Sequence, residues 1–170
     1  MPALLERLYD KHAQSLFAFL LGLTRNETDT RDLLQEVFCK LASRPWLLDG
    51  VRDERSFLLR LARNAAIDLM RRSQAREKKF DAFSGEAPRL FEESADPDEQ
   101  NFQRALEEAL GALPPEQREV AHLKLWEGAT FERIAGILGI SPNTAASRYR
   151  YAIDKLRGLL RPLYEEIKTR

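Results

Sequence analysis

The spacing of apolar residues constrains the fold of this chain most, because they recur every three or four positions over most of its length. This period places them on one face of an α-helix, whereas a strand exposes every second residue. The first 21 residues already show it, in Leu4, Leu5, Leu8, His12, Leu16, Phe17, Leu20 and Leu21. Only eight Gly and eight Pro occur among 170 residues, so few positions interrupt helices. The sequence predicts an all-α fold.

Two more helices are expected in the first half of the chain. Asn26 or Thr28 can cap the second one, because short polar side chains accept hydrogen bonds from the free amides at a helix start. Its predicted buried stripe holds Leu33, Leu34, Val37, Phe38 and Leu41. Pro45 ends it, a short loop with Gly50 follows, and the third helix begins at about Glu54. The residues predicted to point inward from it are Phe57, Leu58, Leu61, Ala65 and Leu69.

The stretch between residues 73 and 98 separates two helical halves. It loses the helical period and collects Ser, Gly and Pro among acidic residues, which is typical of a linker. A helical hairpin follows from about Glu99 to Glu127, with a break at Pro114 and Pro115. We therefore predict two small helical domains joined by an acidic, flexible linker, with boundaries at 1–78, 79–98 and 99–170.

Charge is distributed unevenly along the chain, although the net charge is zero. Nine basic residues stand against four acidic ones between Arg52 and Lys79, and seven against three between Ser141 and Arg170. The intervening block, 81–108, has nine acidic residues and two Arg. Basic blocks are typical of surfaces that bind nucleic-acid phosphates. Solvated helix faces produce the same pattern, so charge alone does not decide between the two.

Composition excludes several classes of protein. No apolar run approaches the roughly 20 residues that span a bilayer, and charges interrupt the N-terminal segment where a signal peptide would be apolar. The single Cys39 cannot form an internal disulfide and is predicted to be a buried core thiol. With only two His, no Gly-rich phosphate loop and no Ser–His–Asp arrangement, we expect a cytoplasmic protein with no metal, no cofactor and no enzymatic activity.

The segment 129–150 has the pattern of a helix-turn-helix. Thr130 can cap a first short helix. Its apolar stripe holds Ile134, Ala135 and Leu138. Gly139 can end this helix in the left-handed conformation that glycine adopts at little cost. Ser141 then caps a second helix, and Pro142 suits its first position, where the missing N–H is not needed.

The second of these helices separates its side chains by face. The residues predicted to pack inward are Ala145, Tyr149, Ala152, Ile153 and Leu156. Polar and basic residues on the other side, near the helix start, suit phosphates and base edges in a major groove. They are Asn143, Thr144, Ser147, Arg148, Arg150 and Tyr151, joined by Lys124 and Arg133 on the preceding helices as phosphate contacts. The alternatives are a helical hairpin whose polar face meets water and, for Lys124 and Arg133, ordinary surface charges.

Three further motifs precede this segment, and they occur in order. D-x-x-Q-E-x-F starts at Asp32, R-N-x-x-x-D-x-x-R-R at Arg63 and L-P-P-x-x-R at Leu113. At these spacings, followed by a helix-turn-helix, the chain resembles the extracytoplasmic-function sigma factors, the small two-domain class of bacterial sigma factors. The likeness covers nearly the whole chain. It implies an initiation factor that binds core RNA polymerase, recognises a -35 element with its C-terminal domain, and melts and recognises a -10 element with its N-terminal domain.

The resemblance implies a polymerase-binding face on the second helix. Asp32, Gln35 and Glu36 carry the matching pattern, and residues three and four apart lie on one side of a helix. Two carboxylates and an amide suit a basic partner surface. Without the resemblance, the same residues would be read as a solvated stripe.

The resemblance also implies that the third helix meets the -10 element and that a flipped base of one strand is bound beside it. Asn64 matches the position that hydrogen-bonds such a base, and Asp68 either contributes or only orients Asn64 or an Arg. The residues available for phosphates are Arg60, Arg63, Arg71 and Arg72. Trp46 and Phe57 could offer aromatic surface, but a place in the core is the favoured interpretation of both.

One position departs from the family pattern. Ala146 stands where many relatives have a basic residue that contacts DNA, so the resemblance implies no such contact at this position. The family further implies an inhibitory partner, an anti-sigma factor. The rival interpretation is a stand-alone helix-turn-helix regulator whose N-terminal bundle dimerises or senses a ligand, and which would bind duplex DNA by itself.

Overall fold

The computed structural model of the chain describes residues 2–77 and 92–169. Within these residues the backbone is helical apart from short connections, and it contains no strand, as the all-α prediction requires. None of these helices is long and apolar enough to cross a membrane. The α-helices are α1 (Pro2–Thr24), α2 (Glu27–Ser43), α3 (Glu54–Glu77), α4 (Pro97–Ala112), α5 (Pro115–Leu125), α6 (Phe131–Leu138) and α7 (Pro142–Lys168), with a 3-10 turn at Pro45–Leu48.

The chain forms two compact units. The first contains α1, α2 and α3, and the second contains α4, α5, α7 and the first part of α6. Residues 79–91 of the predicted linker lie outside the described residues, and the predicted boundaries remain predictions. The helix α4 begins at Pro97, slightly before the expected Glu99, because the side chain of Asp96 accepts a hydrogen bond from the Asp98 amide and Pro suits a first helical position.

Large apolar side chains from three helices fill the core of the first unit. Almost fully buried are Leu8, Leu16, Phe19, Leu20, Leu33, Val37, Leu41, Leu58, Leu59, Ala62 and Ala66. The turn between α1 and α2 forms as predicted, since Asn26 Oδ1 accepts the Asp29 amide at 2.9 Å. The predicted stripe of α3 was wrong in part, because Phe57, Leu61, Ala65 and Leu69 are only half-buried. A stripe that includes Leu59 and Ala62 has the same period, and the packing of α3 against α1 and α2 selects it.

Cys39 lies on the solvent side of α2, so the prediction of a core thiol was wrong. The buried residues of this helix are Thr30, Leu33, Leu34, Val37 and Leu41. Cys39 follows Val37 by two positions, which turns it about 200° away from the buried face at 3.6 residues per turn.

Alanine and leucine share the core of the second unit equally. Its buried cluster is Ala109, Leu110, Leu113, Ala121, Ala152 and Leu156, contributed by α4, α5, α7 and the turn after α4. Alanine at the crossings lets α7 lie close to α4 and α5. The inward prediction for Ala145, Ala152 and Leu156 is confirmed, whereas Tyr149 and Ile153 are half-buried.

Candidate nucleic-acid and polymerase interfaces

The turn between α6 and α7 has the helix-turn-helix geometry that the sequence predicts. Thr130 Oγ1 accepts the Arg133 amide at 3.2 Å, and Ser141 Oγ accepts the Thr144 amide at 3.1 Å, so both helices begin with a side-chain cap. Gly139 has φ +70°, the left-handed conformation that ends α6. Ile134, Ala135 and Leu138 are buried, as expected. The start of α7 is therefore held by its own local chemistry.

The first turns of α7 present the predicted DNA-contacting residues together. Asn143, Arg150 and Tyr151 are exposed, and Thr144, Ser147 and Arg148 are half-buried, while Ala145 and Ala152 on the other side are fully buried. Tyr151 exposes 63 % of its surface, which is high for a large aromatic side chain on a well-packed helix. The Thr144 hydroxyl accepts a hydrogen bond from Ser141 Oγ at 2.9 Å and keeps its own proton for another partner.

Lys124 has partners inside the protein. Its Nζ donates to the carbonyl oxygen of Ala129 at 3.2 Å and lies 4.5 Å from the centre of the Phe131 ring. The Phe131 ring in turn contacts Tyr149 of α7, with ring centres 5.8 Å apart. Sequence reasoning missed these contacts, since Lys124 and Phe131 lie on different helices. The predicted phosphate contact of Lys124 remains a prediction, as does that of the exposed Arg133.

A buried arginine joins α4 to α5. Arg118 donates from Nε to the Leu110 carbonyl and from Nη2 to the Leu113 carbonyl, each at 3.0 Å. It thereby supplies donors to two carbonyls at the end of α4, of which that of Leu110 also accepts the Leu113 amide at 3.2 Å. Sequence reasoning used this residue only as part of the L-P-P-x-x-R motif, and a basic residue inside a motif was the one signal that could have found it.

His122 stacks on Trp126 at the end of α5, with ring centres 5.4 Å apart. Burial lowers the pKa of His122 to about 4, and the opposing effect of the Glu127 carboxylate is smaller. The imidazole is therefore neutral at physiological pH.

The basic side of α3 brings together the residues predicted for the -10 element. Arg60, Asn64, Asp68, Arg71 and Arg72 are exposed at spacings of three and four residues, so they share one face, and Arg63 is half-buried at its edge. The guanidinium of Arg60 lies 6.0 Å from the centre of the Phe57 ring, and Arg72 Nε donates to the Asp68 carbonyl at 3.3 Å. An amide is thus flanked by cations along four turns of helix.

Trp46 lies on the surface, in the connection that leads from α2 to α3. It belongs to the 3-10 turn and exposes 62 % of its area, so the expectation that it belongs to the core was wrong. Gly50, with φ +74°, turns the chain back before α3. The four residues of the 3-10 turn include no buried one, so a short turn holds the indole outside the core.

The outer side of α2 carries the predicted polymerase-binding residues. Asp32, Gln35 and Glu36 are all exposed, opposite the buried stripe of α2. Gln35 also lines a shallow groove between α1 and α2, whose other lining residues are Tyr9, Phe17, Arg31, Leu34, Phe38, Cys39 and Ala42. Tyr9 and Phe38 meet edge to face there, with ring centres 5.1 Å apart. An acidic strip thus borders an apolar one.

A polar cluster that sequence reasoning missed joins α1 to α3. Arg7 Nη2 donates to Glu54 Oε1 at 2.6 Å, and Nε2 of the buried His12 lies 3.7 Å from Glu54 Oε2. The hydrogen bond from Arg7 lowers the pKa of Glu54. Burial lowers the pKa of His12, although Glu54 opposes it. The cluster links the start of α3 to α1 at the rim of the first unit.

Comparison with known proteins assigns both units. The family model of sigma-70 region 2 matches residues 8–76, and that of sigma-70 region 4 matches residues 103–156. The RNA polymerase sigma factor CarQ of Myxococcus xanthus is 34% identical over 165 residues, which cover 95% of this chain and 92% of CarQ. The ECF RNA polymerase sigma factor SigL of Mycobacterium tuberculosis is 32% identical, over 95% of this chain and 91% of SigL.

Two solved structures share the fold. The sigma factor RpoE of Bartonella quintana, solved in complex with the anti-sigma factor NepR, superposes with a TM-score of 0.70 at 23% identity, over 86% of this chain and 90% of RpoE. CnrH, solved with the cytosolic domain of CnrY, gives a TM-score of 0.67 at 23% identity, over 95% of this chain and 90% of CnrH. At this identity, the likeness is one of fold.

Proposed function

Because this chain belongs to the extracytoplasmic-function sigma factors of RNA polymerase, we propose that its two helical units divide promoter recognition between them. As a member of this family, the chain is a transcription initiation factor that directs RNA polymerase to promoters. The observation that carries the division is the presence of a separate polar surface on each unit, α3 in the first and the start of α7 in the second.

The second unit reads the upstream, -35 element as duplex. Asn143, Ser147 and Arg148 present an amide, a hydroxyl and a guanidinium at the start of α7, and these groups hydrogen-bond base edges in a major groove. Exposed cations on the rim, Arg133 and Arg150, hold phosphates and set the register. Ala146 is too short to reach a phosphate, so Arg148, Arg150 and Tyr151 supply the contacts that a basic residue makes in relatives.

The first unit binds the -10 element as it melts. Asn64 hydrogen-bonds a flipped base, and exposed cations next to it hold the strand: Arg60, Arg71 and Arg72, with Arg63 at the edge. Removing a base from the stack costs a few kcal/mol, which hydrogen bonds and stacking must return. Asp68 lies one turn after Asn64 and orients the amide or a neighbouring guanidinium.

Core polymerase binds the first unit through α2. The exposed Asp32, Gln35 and Glu36 form a face of two carboxylates and an amide, which matches a basic partner surface. Since the related structures hold anti-sigma factors, we infer that an inhibitory protein also binds this chain and competes for such surfaces. We place the protein in the cytoplasm, where polymerase and promoters meet, and assign it no catalytic activity of its own.

Run-off transcription with purified core polymerase tests this proposal. Templates that the holoenzyme selects from a randomised promoter library should yield specific transcripts only when this protein is added to core. The double variant Asp32→Lys/Glu36→Lys should lose capture by core while its helicity, measured by circular dichroism, stays unchanged. The matched control Glu6→Lys/Asp10→Lys makes the same charge change on the exposed side of α1 and should keep core binding.

The outcome that contradicts the proposal is equally concrete. If the protein alone binds a selected duplex tightly, and core polymerase adds neither capture nor promoter selectivity, it acts as a stand-alone regulator. If core polymerase does gain promoter selectivity but the double variant Asp32→Lys/Glu36→Lys still binds core like the wild type, the polymerase-binding face lies elsewhere on the first unit.

A further inference from the structure

We propose that Lys124 is a positioning residue of the helix-turn-helix, which sets the orientation of α6 and α7 through Phe131 and Tyr149 instead of contacting DNA. The inference rests on the proposed reading of duplex DNA by α7. It is carried by a continuous set of contacts that runs from α5 through α6 to α7.

The first contact fixes the start of α6 against the end of α5. Lys124 stands in the last turn of α5, and its Nζ donates to the Ala129 carbonyl at 3.2 Å. Ala129 is 2 % exposed, and its own amide donates to the Leu123 carbonyl at 3.1 Å. Both polar groups of this residue are therefore used within the connection between α5 and α6, which the left-handed Gly128 turns sharply.

The second contact passes from the ammonium group to an aromatic ring. Nζ of Lys124 lies 4.5 Å from the centre of the Phe131 ring, within the range in which a cation is attracted to a ring face. Phe131 is the first residue of α6, and its ring contacts Tyr149 with centres 5.8 Å apart. Tyr149 is half-buried on the inward side of α7, and its neighbours in sequence are Arg148 and Arg150, so the set of contacts ends behind the proposed DNA-reading surface.

The placement of α6 makes these contacts matter. Among the described helices, α5 and α7 approach each other closely along their backbones, whereas α6, only eight residues long, makes few close backbone approaches. Its orientation therefore depends on side chains. A surface that reads base edges has to be held to within roughly 0.5 Å of its working geometry, because hydrogen bonds weaken steeply with distance and angle.

The alternative role of Lys124 is to bind a DNA phosphate with the same ammonium group. A phosphate would compete for Nζ of Lys124 with the Ala129 carbonyl and the Phe131 ring, which already engage this ammonium group from inside the second unit. An internal cation also contributes little to counterion release, whereas each lost phosphate contact lowers the slope of log affinity against log salt by about 0.9. Salt dependence therefore separates the two roles.

The test measures binding of the full chain, assembled with core polymerase, to a duplex that carries the upstream element selected by the wild-type holoenzyme. Lys124→Met keeps an unbranched apolar side chain out to Cε and removes the ammonium group. It should weaken binding about five-fold, the size of one cation–π contact, with the salt slope unchanged. Lys124→Arg should restore binding, because a guanidinium also lies well on an aromatic ring and donates to a carbonyl.

A second variant interrupts the contacts between Lys124 and Tyr149 without removing the cation. Phe131→Leu should weaken binding to a similar degree, again with the wild-type salt slope. The double variant Lys124→Met/Phe131→Leu should be no worse than either single one, since residues that act through each other are not additive. The reference for a lost phosphate contact is Arg133→Met on α6, for which the salt slope should fall.

Three results would overturn the inference: a fall of about 0.9 in the salt slope for Lys124→Met, additive effects in the double variant, or wild-type binding by both single variants. All three leave the proposed function standing. That function fails by a separate result, a wild-type holoenzyme that binds selected and scrambled upstream elements equally well.

Discussion

The two helical units keep their polar groups in different places. The first has a core of large apolar side chains, and its main ion pair, between Arg7 and Glu54, lies at the rim with the Arg side chain 48% exposed. Among the described residues, the second has more alanine in its core and buries Glu107, Arg118 and Glu119, whereas the first buries one ionisable residue, His12. Apolar packing holds the helices of the first unit, whereas in the second unit the hydrogen bonds of the buried Arg118 add to the packing of apolar side chains that include more alanine.

This difference suits the surfaces that each unit presents. In the first unit, α2 and α3 expose their proposed binding residues directly from long, well-packed helices. In the second, the proposed DNA-reading surface is at the start of α7, beside the short helix α6, and Lys124 and Arg118 make contacts within the elements behind it. We therefore expect stability to fall most when a buried polar residue is replaced in the second unit and when a buried apolar residue is truncated in the first.

The largest effect is expected for Leu58→Ala in the first unit. Leu58 is fully buried, and truncation of such a residue leaves a cavity that costs about 3–4 kcal/mol in the free energy of unfolding. In hydrogen–deuterium exchange, the backbone amides of α1, α2 and α3 should exchange faster than in the wild type. The amides of α4 and α5 are the internal control and should keep their protection; equal losses in both units would mean that the units do not unfold separately.

Arg118→Met should cost the second unit about 2–3 kcal/mol, because it removes two hydrogen bonds from a charged donor and leaves the Leu110 and Leu113 carbonyls without it. The same exchange measurement on α4 and α5 checks this. Arg104→Met, on the exposed side of α4, is the matched control and should change stability by less than about 0.5 kcal/mol. Similar values for the two variants would refute a structural role of Arg118.

Acid should weaken the second unit through His122. Its pKa falls from 6.5 to about 4 on folding, so between these values the unfolded chain binds more protons than the folded one. Stability from this group is therefore complete above pH 6.5 and decreases as the pH falls through 4, by about 3 kcal/mol in total. The free energy of unfolding, measured between pH 6.5 and 4 for the wild type and for His122→Phe, separates the contribution of His122 from that of the carboxylates. The phenyl ring keeps the stacking on Trp126, and an unchanged pH dependence in this variant would exclude His122 as the cause.

A smaller pair of effects should separate the two DNA surfaces. Arg148→Ala should weaken binding of the holoenzyme to the upstream duplex by about 1–2 kcal/mol, as expected for the loss of one base contact. Asn64→Ala should leave that binding unchanged and slow the formation of open complexes, measured with a fluorescent base in the -10 element. A normal opening rate in Asn64→Ala would remove this residue from the mechanism.

The sequence by itself determined the features that depend on a few neighbouring residues. Asn26, Thr130 and Ser141 cap their helices, and Gly139 ends α6, because each acts on backbone groups within three or four positions of itself. The exposure of Asp32, Gln35 and Glu36 could be predicted for the same reason, as the spacing of apolar residues on α2 leaves them outside. The order of the motifs also indicated the family.

The tertiary structure alone decided which of two similar faces is buried and which polar residues turn inward. The apolar residues of α3 offer two stripes of equal period, and the surfaces of α1 and α2 chose the one with Leu59 and Ala62. In the sequence, Lys124 and Arg118 cannot be told from surface cations. In the structure, Lys124 donates to a carbonyl and lies over a ring, and Arg118 donates to carbonyls of the preceding helix end. Caps act within three or four residues and can be read from the chain, whereas these contacts cross from one helix to another, five to eight residues away for Lys124 and Arg118, and form only when the helices have packed.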